Sequence, residues 1–348
     1  MRKKSTHSTL NDVARKAGVG TTTVSRVING GQNVNPETLA HVRRVIKALS
    51  YTPNQAARSL RGERTKTISL LIPSIADPFF SSCAEVVQSI AETNDSLLIV
   101  TATHNDAKRE IENLNVLIRH RTDGLIIAPS NPQSAALCDL LARVAIPAVS
   151  IDRPIFKSNI PSVVADNYDG AFTATQHLIG HGYKHILCLT GESDFYTIRE
   201  RIRGYRKAME SAGLISRLDT SIRDYESAEQ ALKAALKAPN PPDAIFTLKN
   251  STTVYAFEVL QQLNVKVPGT IALLGFDDLE LASALRPAIS VVQQPIEEIG
   301  RIATELLFNE LRGPHKSRKS SASKRPQKIE VKTRLVLRHS CGCRLPTP

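Results

Sequence analysis

Over the first fifty residues, apolar positions recur in steps of three and four, the period of helices that each bury one stripe. Val13, Ala14 and Ala17 form one stripe, with Thr9 and Asp12 before it at the spacing of a capping box and Gly18 after it as a stop. Val24, Val27 and Ile28 form a second inside GTTTVSRVING (residues 20–30), leaving Thr21, Thr22, Ser25, Arg26 and Asn29 on a wholly polar side. Threonine is a mediocre helix former, because its branched Cβ restricts χ1 and its hydroxyl competes for backbone groups, so propensity does not explain the run of three. A third stripe, Leu39, Val42, Ile46 and Leu49, follows Asn35 as a cap and Pro36 in the first turn. Three short helices sharing one seam, the first two joined by a glycine-containing turn, predict a helix-turn-helix, whose second helix enters the DNA major groove. Thr21 and Thr22 would then present hydroxyls to bases or phosphates and methyls to thymine, with Arg26 one turn along; an ordinary surface face on a small bundle is the alternative.

SYTPNQAARSLRG (residues 50–62) has Thr52 as a cap, Pro53 in the first turn and Gly62 as a stop. A helix of about two turns is unstable alone in water. It would order on DNA beside a second copy, with Leu60 wedged into a base step from the minor groove; an exposed linker is the alternative.

From residue 67 the pattern becomes near-continuous apolar runs separated by helical stretches, at residues 67–74, 96–104, 124–130, 146–152, 185–191, 243–250 and 271–278. Such runs imply strands buried on both faces, hence an α/β fold of doubly wound parallel sheets. Ligands in such folds sit beyond the carboxyl ends of the strands, and those ends collect Asp77, Asp152 with Arg153, Lys249 with Asn250, and Asp277 with Asp278. Two lobes with a cleft between them suit the length, and residues 289–308 and 329–338 come late enough to cross back and complete each lobe.

Charge sharpens this division. Residues 1–66 carry 13 Lys and Arg against 3 Asp and Glu, residues 67–311 carry 21 against 29, and residues 312–348 carry 11 against 1. A basic N-terminal unit on an acidic body is the footprint of a protein that meets a polyanion with one end. The basic stretch 312–328 reads as a solvated loop. No apolar run is long enough to span a bilayer, and the N-terminus has charge without the apolar core of a signal peptide, so a cytoplasmic protein is expected. No nucleophile elbow, HExxH, phosphate loop or GxGxxG occurs, so no enzyme is expected. His177, His181 and His185 are spaced so that a helix could align two metal ligands, but Gly180 and Gly182 favour a helix end there. Cys341 and Cys343 offer half a metal site with no second cysteine pair to complete it, so they read as a tail, and neither metal nor cofactor is expected.

TLNDVARKAGVGTTTVSRVING, YTPNQAARSLRG and a body containing ADPFF, TDGLII, GHGYKHI and LLGFDD closely resemble the LacI/GalR family of bacterial transcription regulators. The resemblance implies a helix-turn-helix headpiece at residues 7–52, a hinge helix and linker at 53–65, and a periplasmic-binding-protein-like core at 66–340. Lobe 1 is expected at about 66–162 plus 291–325, and lobe 2 at about 163–290 plus 326–340. It further implies a homodimeric repressor of carbohydrate metabolism that binds a pseudopalindromic double-stranded DNA operator and responds to a small sugar-like effector. Thr21, Thr22 and Arg26 match base-reading positions; Thr9, Thr23, Ser25, Asn29 and Asn54 match other DNA-contacting positions; Leu60 matches the intercalating hinge leucine, with Ala57 beside it. Phe79, Phe80, Asp152, Arg153, Arg201, Lys249 and Asp277 match positions lining the effector cleft. No leucine heptad follows residue 338, which favours a dimer over a tetramer. The chain departs from the family at Gly20, where a serine cap is common, and at Lys249, where sugar-binding relatives often carry Asn. With Arg153 and Arg201, Lys249 would make the cleft suit a sugar acid or sugar phosphate; alternatively it pairs with Asp277 or another core acid.

Overall fold

The computed structural model describes residues 8–28, 30–31, 33–51, 64–191, 194–313 and 327–343. The chain divides into two compact units, Met1–Thr65 and Lys66–Pro348. The described part of the first unit contains α1 (Leu10–Ala17), α2 (Thr21–Ile28) and α3 (Pro36–Ala48). Thr9 caps α1 through the reciprocal Thr9–Asp12 box, and Gly18 ends the helix in the left-handed conformation. Asn35 caps α3, with Pro36 in its first turn. Val13, Ala17, Val24, Val27, Val42 and Val45 make the shared core, so the three stripes seen in the pattern do meet.

The second unit holds two six-stranded sheets. The first contains β1 (Thr67–Ile72), β2 (Leu97–Ala102), β3 (Gly124–Ile127), β4 (Ala148–Ile151), β5 (Ser162–Ala165) and β11 (Lys328–Val331), in the order β11-β5-β4-β3-β1-β2. The second contains β6 (Ile186–Leu189), β7 (Arg217–Asp219), β8 (Ala244–Thr247), β9 (Ala272–Phe276), β10 (Ser290–Gln293) and β12 (Arg334–Val336), in the equivalent order β12-β10-β9-β8-β6-β7. All pairings are parallel except that of β12 with β10. Helices cover both faces of each sheet, which is why the strands read as continuous apolar runs. On the first sheet, α4 (Pro78–Thr93) and α11 (Ile296–Arg312) share one core, while α5 (Ala107–Arg119) and α6 (Ala135–Val144) share the other. On the second sheet the corresponding pairs are α7 (Asn167–Gly180) with α8 (Tyr196–Ser211), and α9 (Tyr225–Leu236) with α10 (Asn250–Gln262).

The chain passes between the sheets after β5, after β10 and after β11. Strand β10 pairs with β9, and β11 with β5, so the two later crossings fall a few residues beyond positions 291 and 326. Hydropathy could not place them, because the strands on either side of a crossing are equally apolar and only pairing assigns them to a sheet. Two crossings lie side by side: Lys332 contacts Asp166 at 3.3 Å and Asp169 at 3.1 Å, and the Thr333 amide donates to Asp166 at 2.7 Å. Strands β5 and β7 were not anticipated: β5 (SVVA) offers three apolar residues in a row, and β7 (RLD) sets a single leucine between two charges. Among the described residues, no helix is long and apolar enough to cross a membrane.

Candidate functional site

In the first unit, α2 buries Val24 and Val27 and exposes Thr21, Thr22 and Arg26, while Thr23 and Ser25 are partly buried. Helical spacing places Thr21, Thr22, Ser25 and Arg26 on one face. No acidic residue lies in the first turn. The Gly20 carbonyl accepts from the amides of Thr23 at 3.0 Å and Val24 at 3.2 Å, leaving those of Thr21 and Thr22 without a bond of this kind. An uncapped, acid-free helix N-terminus beside short hydroxyl side chains is arranged to receive phosphate oxygens. The Thr9 hydroxyl serves the α1 cap, donating to Asp12 at 2.7 Å. Asn29, Asn54, Ala57 and Leu60 lie outside the described residues.

In the second unit, the carboxyl ends of the two sheets face one cleft of about 210 Å³. All seven effector-site residues matched by resemblance line it: Phe79, Phe80, Asp152, Arg153, Arg201, Lys249 and Asp277. Asp77 caps α4 by accepting from the Phe79 amide at 3.0 Å, which sets Phe79 and Phe80 edge to face with centroids 5.0 Å apart. Asp152 directly follows strand β4 and Asp277 directly follows the equivalent strand β9; both take a positive φ, 64° and 73°, sparsely populated for a residue with a Cβ. The turns aim both carboxylates back toward the arginines.

Arg153 is 5% exposed. Its Nε donates to Asp152 at 3.0 Å, its Nη1 donates to Asn105 at 2.8 Å and to the Pro129 carbonyl at 3.2 Å, and the guanidinium lies 4.3 Å over Phe195. Arg201, 3% exposed, donates from Nε to Asn167 at 2.8 Å and from Nη1 to the Leu248 carbonyl at 2.7 Å and Asp277 at 3.3 Å, over the Phe276 ring at 3.7 Å. Asp277 also accepts from Gln294 at 2.6 Å. Asp277 is thus taken by Arg201, whereas Lys249 makes no ion pair among the described residues. Burial pushes the Asp77 and Asp152 carboxyls above their ordinary range, against the pull of nearby cations.

Asn105, Asn167, Phe195 and Gln294 were not singled out from sequence. Asn167 follows the unrecognised strand β5, and Phe195 precedes α8; only the tertiary fold brings either to an arginine.

Residues 9–54 match the family described as bacterial regulatory proteins, lacI family, and residues 65–334 match periplasmic binding proteins and sugar binding domain of LacI family. The ribose operon repressor of Haemophilus influenzae is 32% identical over 313 residues, 89% of this chain and 94% of that protein. A solved complex of the transcriptional regulator CelR with cellobiose is 29% identical, with a TM-score of 0.67 over 96% of this chain and 100% of its own. The lac repressor dimer bound to operator and an anti-inducer shares the fold at a TM-score of 0.83 over 96% of this chain and 99% of its own, at 23% identity. With residues 9–54 matched in the first unit and 65–334 in the second, the chain belongs to the LacI family of bacterial regulatory proteins.

Proposed function

We propose that this protein is a cytoplasmic, homodimeric repressor whose hold on a pseudopalindromic operator is controlled by a small anionic sugar derivative bound between the lobes. The family is one of regulators rather than enzymes, and the exposed, acid-free face of α2 supports contact with DNA. Thr21, Thr22 and Arg26 read base edges, while Thr9, Thr23, Ser25, Asn29 and Asn54 hold the backbone and Leu60 wedges the hinge into the minor groove beside Ala57. One relative named for the ribose operon and another solved with cellobiose point to a sugar. A cleft of about 210 Å³ suits a monosaccharide.

The observation that carries the anionic assignment is the state of the cleft cations. Lys249, which makes no ion pair among the described residues and acts on Asp77 only as a nearby charge, lies at the N-terminus of α10, which has no side-chain cap, and α8 also begins uncapped at the cleft rim. Arg153 and Arg201 each keep Nη2 free of any hydrogen bond to described residues while the rest of the guanidinium is held in place. Preset donors and two helix N-termini receive a carboxylate or phosphate without reorganisation. Phe79 and Phe80 supply an apolar wall for the ring, and Asp152 and Asp277 accept from its hydroxyls.

A thermal-shift panel of neutral sugars, sugar acids and sugar phosphates tests this. An acid or phosphate should raise Tm, and Lys249→Met should abolish that preference; stabilisation by neutral sugars alone would overturn it. Operator binding is tested separately, by titrating a pseudopalindromic duplex from the protein's own promoter region at rising salt. Specific binding that falls steeply and linearly on a log-log plot is expected.

A further inference from the structure

The end of α7 carries His177, with His181 at its C-cap, and the last described residues of the chain carry Cys341 and Cys343. Sequence spacing left each pair as half a site; folding brings all four ligand atoms within 4.8 Å of one another. We propose that His177, His181, Cys341 and Cys343 form a tetrahedral site for a zinc-class divalent cation, which staples the segment after β12 to the second lobe.

The geometry supports four ligands around one centre. The His177 Nε2 lies 3.4 Å from the Cys341 sulfur and 3.6 Å from that of Cys343, and the His181 Nε2 lies 3.3 Å from the Cys343 sulfur. Metal bonds of about 2.3 Å to sulfur and 2.05 Å to nitrogen, at tetrahedral angles, separate S and N by about 3.6 Å and two sulfurs by about 3.8 Å. The two sulfurs are 3.4 Å apart, close to that separation and far beyond the roughly 2.05 Å of a disulfide. Two thiolates and two imidazoles suit zinc above the hard cations.

The surroundings hold the ligands ready. The i, i+4 spacing puts both histidines on one side of α7, with rings 4.7 Å apart and 77° to each other. Gly342 takes a φ of 94°, and a Cβ there would lie 2.6 Å from the Tyr183 hydroxyl; glycine lets the two flanking sulfurs turn to the same side. Cys341 is fully buried in the core shared by α7 and α8, and the Ser290 hydroxyl donates to its sulfur at 3.1 Å. His181 is exposed, so an ion can enter. His185 lies outside the cluster. Helix α7 starts at Asn167, against Arg201 in the cleft, and ends at the cluster about 20 Å away, which makes the site structural rather than part of the effector pocket.

The test uses the full-length chain, stripped with a chelator under reducing conditions and titrated with cobalt(II). Expected are saturation at one equivalent per chain, the intense visible bands of tetrahedral cobalt, a near-ultraviolet thiolate charge-transfer band, and displacement of all of these by zinc. His181→Asn, at an exposed position, should weaken binding by more than the roughly 10- to 100-fold typical of outer-shell changes, and Cys343→Ser, which leaves one thiolate, should lower the charge-transfer intensity per bound cobalt. His185→Asn should change nothing. Zinc should raise the Tm of the stripped wild-type protein and not that of His181→Asn. A pale octahedral spectrum, binding indifferent to His181→Asn, or a mass two hydrogens light from a Cys341–Cys343 disulfide in the reduced preparation would each overturn the proposal.

Discussion

In the proposed reading, single residues on α2 carry distinguishable duties. Thr21, Thr22 and Arg26 project from the exposed face, and a lost or altered base contact costs about 1–3 kcal/mol of discrimination. Changing any of them should shift which operator is preferred, whereas Thr23→Ala or Ser25→Ala should weaken binding to all sequences alike. A selection on randomised operators followed by affinity measurement separates these outcomes. In the cleft, Asp77 makes a different prediction. Burial raises its carboxyl above the unfolded value, so its ionised form opposes folding; that cost is absent below the unfolded value, grows as pH rises from the unfolded to the raised value, and is complete above the latter. Asp77→Asn keeps an acceptor for the Phe79 amide and removes the charge. The unliganded variant should melt at a higher temperature near neutral pH, with the difference vanishing on acidification.

At the scale of elements, the headpiece depends on its ends as much as on its core. The Thr9–Asp12 box satisfies two α1 amides, so Thr9→Ala should destabilise the unit by about 1 kcal/mol. The turn after α2 depends on Gly31, which has a φ of 73°, donates to the Arg26 carbonyl at 2.8 Å, and has no room for a Cβ beside Leu39. Gly31→Ala should cost about 1–2 kcal/mol or more. In calorimetry on the full chain, both variants should lower a headpiece transition and leave the core transition in place. The Thr9–Asp12 box is legible in sequence, because capping is local chemistry; Gly31 was not singled out there, and its need for glycine comes from the φ it takes beside Leu39. Strands β5 and β7 were not anticipated either: β5 has three apolar residues in a row and β7 has one, and each is recognised only from the strand it pairs with.

For the molecule as a whole, the proposed regulation rests on the cleft having walls from both lobes. Arg153 and Asp152 come from the first sheet's end, Arg201, Lys249 and Asp277 from the second, and Phe195 of the second lobe packs on Arg153 of the first. An effector that bridges these groups favours one lobe arrangement by its differential affinity. Linkage then requires that the factor by which effector changes operator affinity equal the factor by which operator changes effector affinity. Measuring both by titration should return one number different from one; a factor of one would show that effector and operator are not coupled.

The sequence by itself determined the helix-turn-helix, the doubly wound class and the candidate residues at the strand ends. Apolar period, caps and turns act over a few residues and leave their mark in order along the chain. Tertiary structure alone decided what separation in sequence conceals. It assigned Asp277 to Arg201, 76 positions away, and left Lys249 with no ion pair among the described residues; it placed the lobe crossings by strand pairing; and it carried Cys341 and Cys343 to His177 and His181, more than 160 positions away. Such contacts depend on which strand edges pair and where helices end in space, and no local pattern encodes a distance between segments that meet only after the sheets have formed.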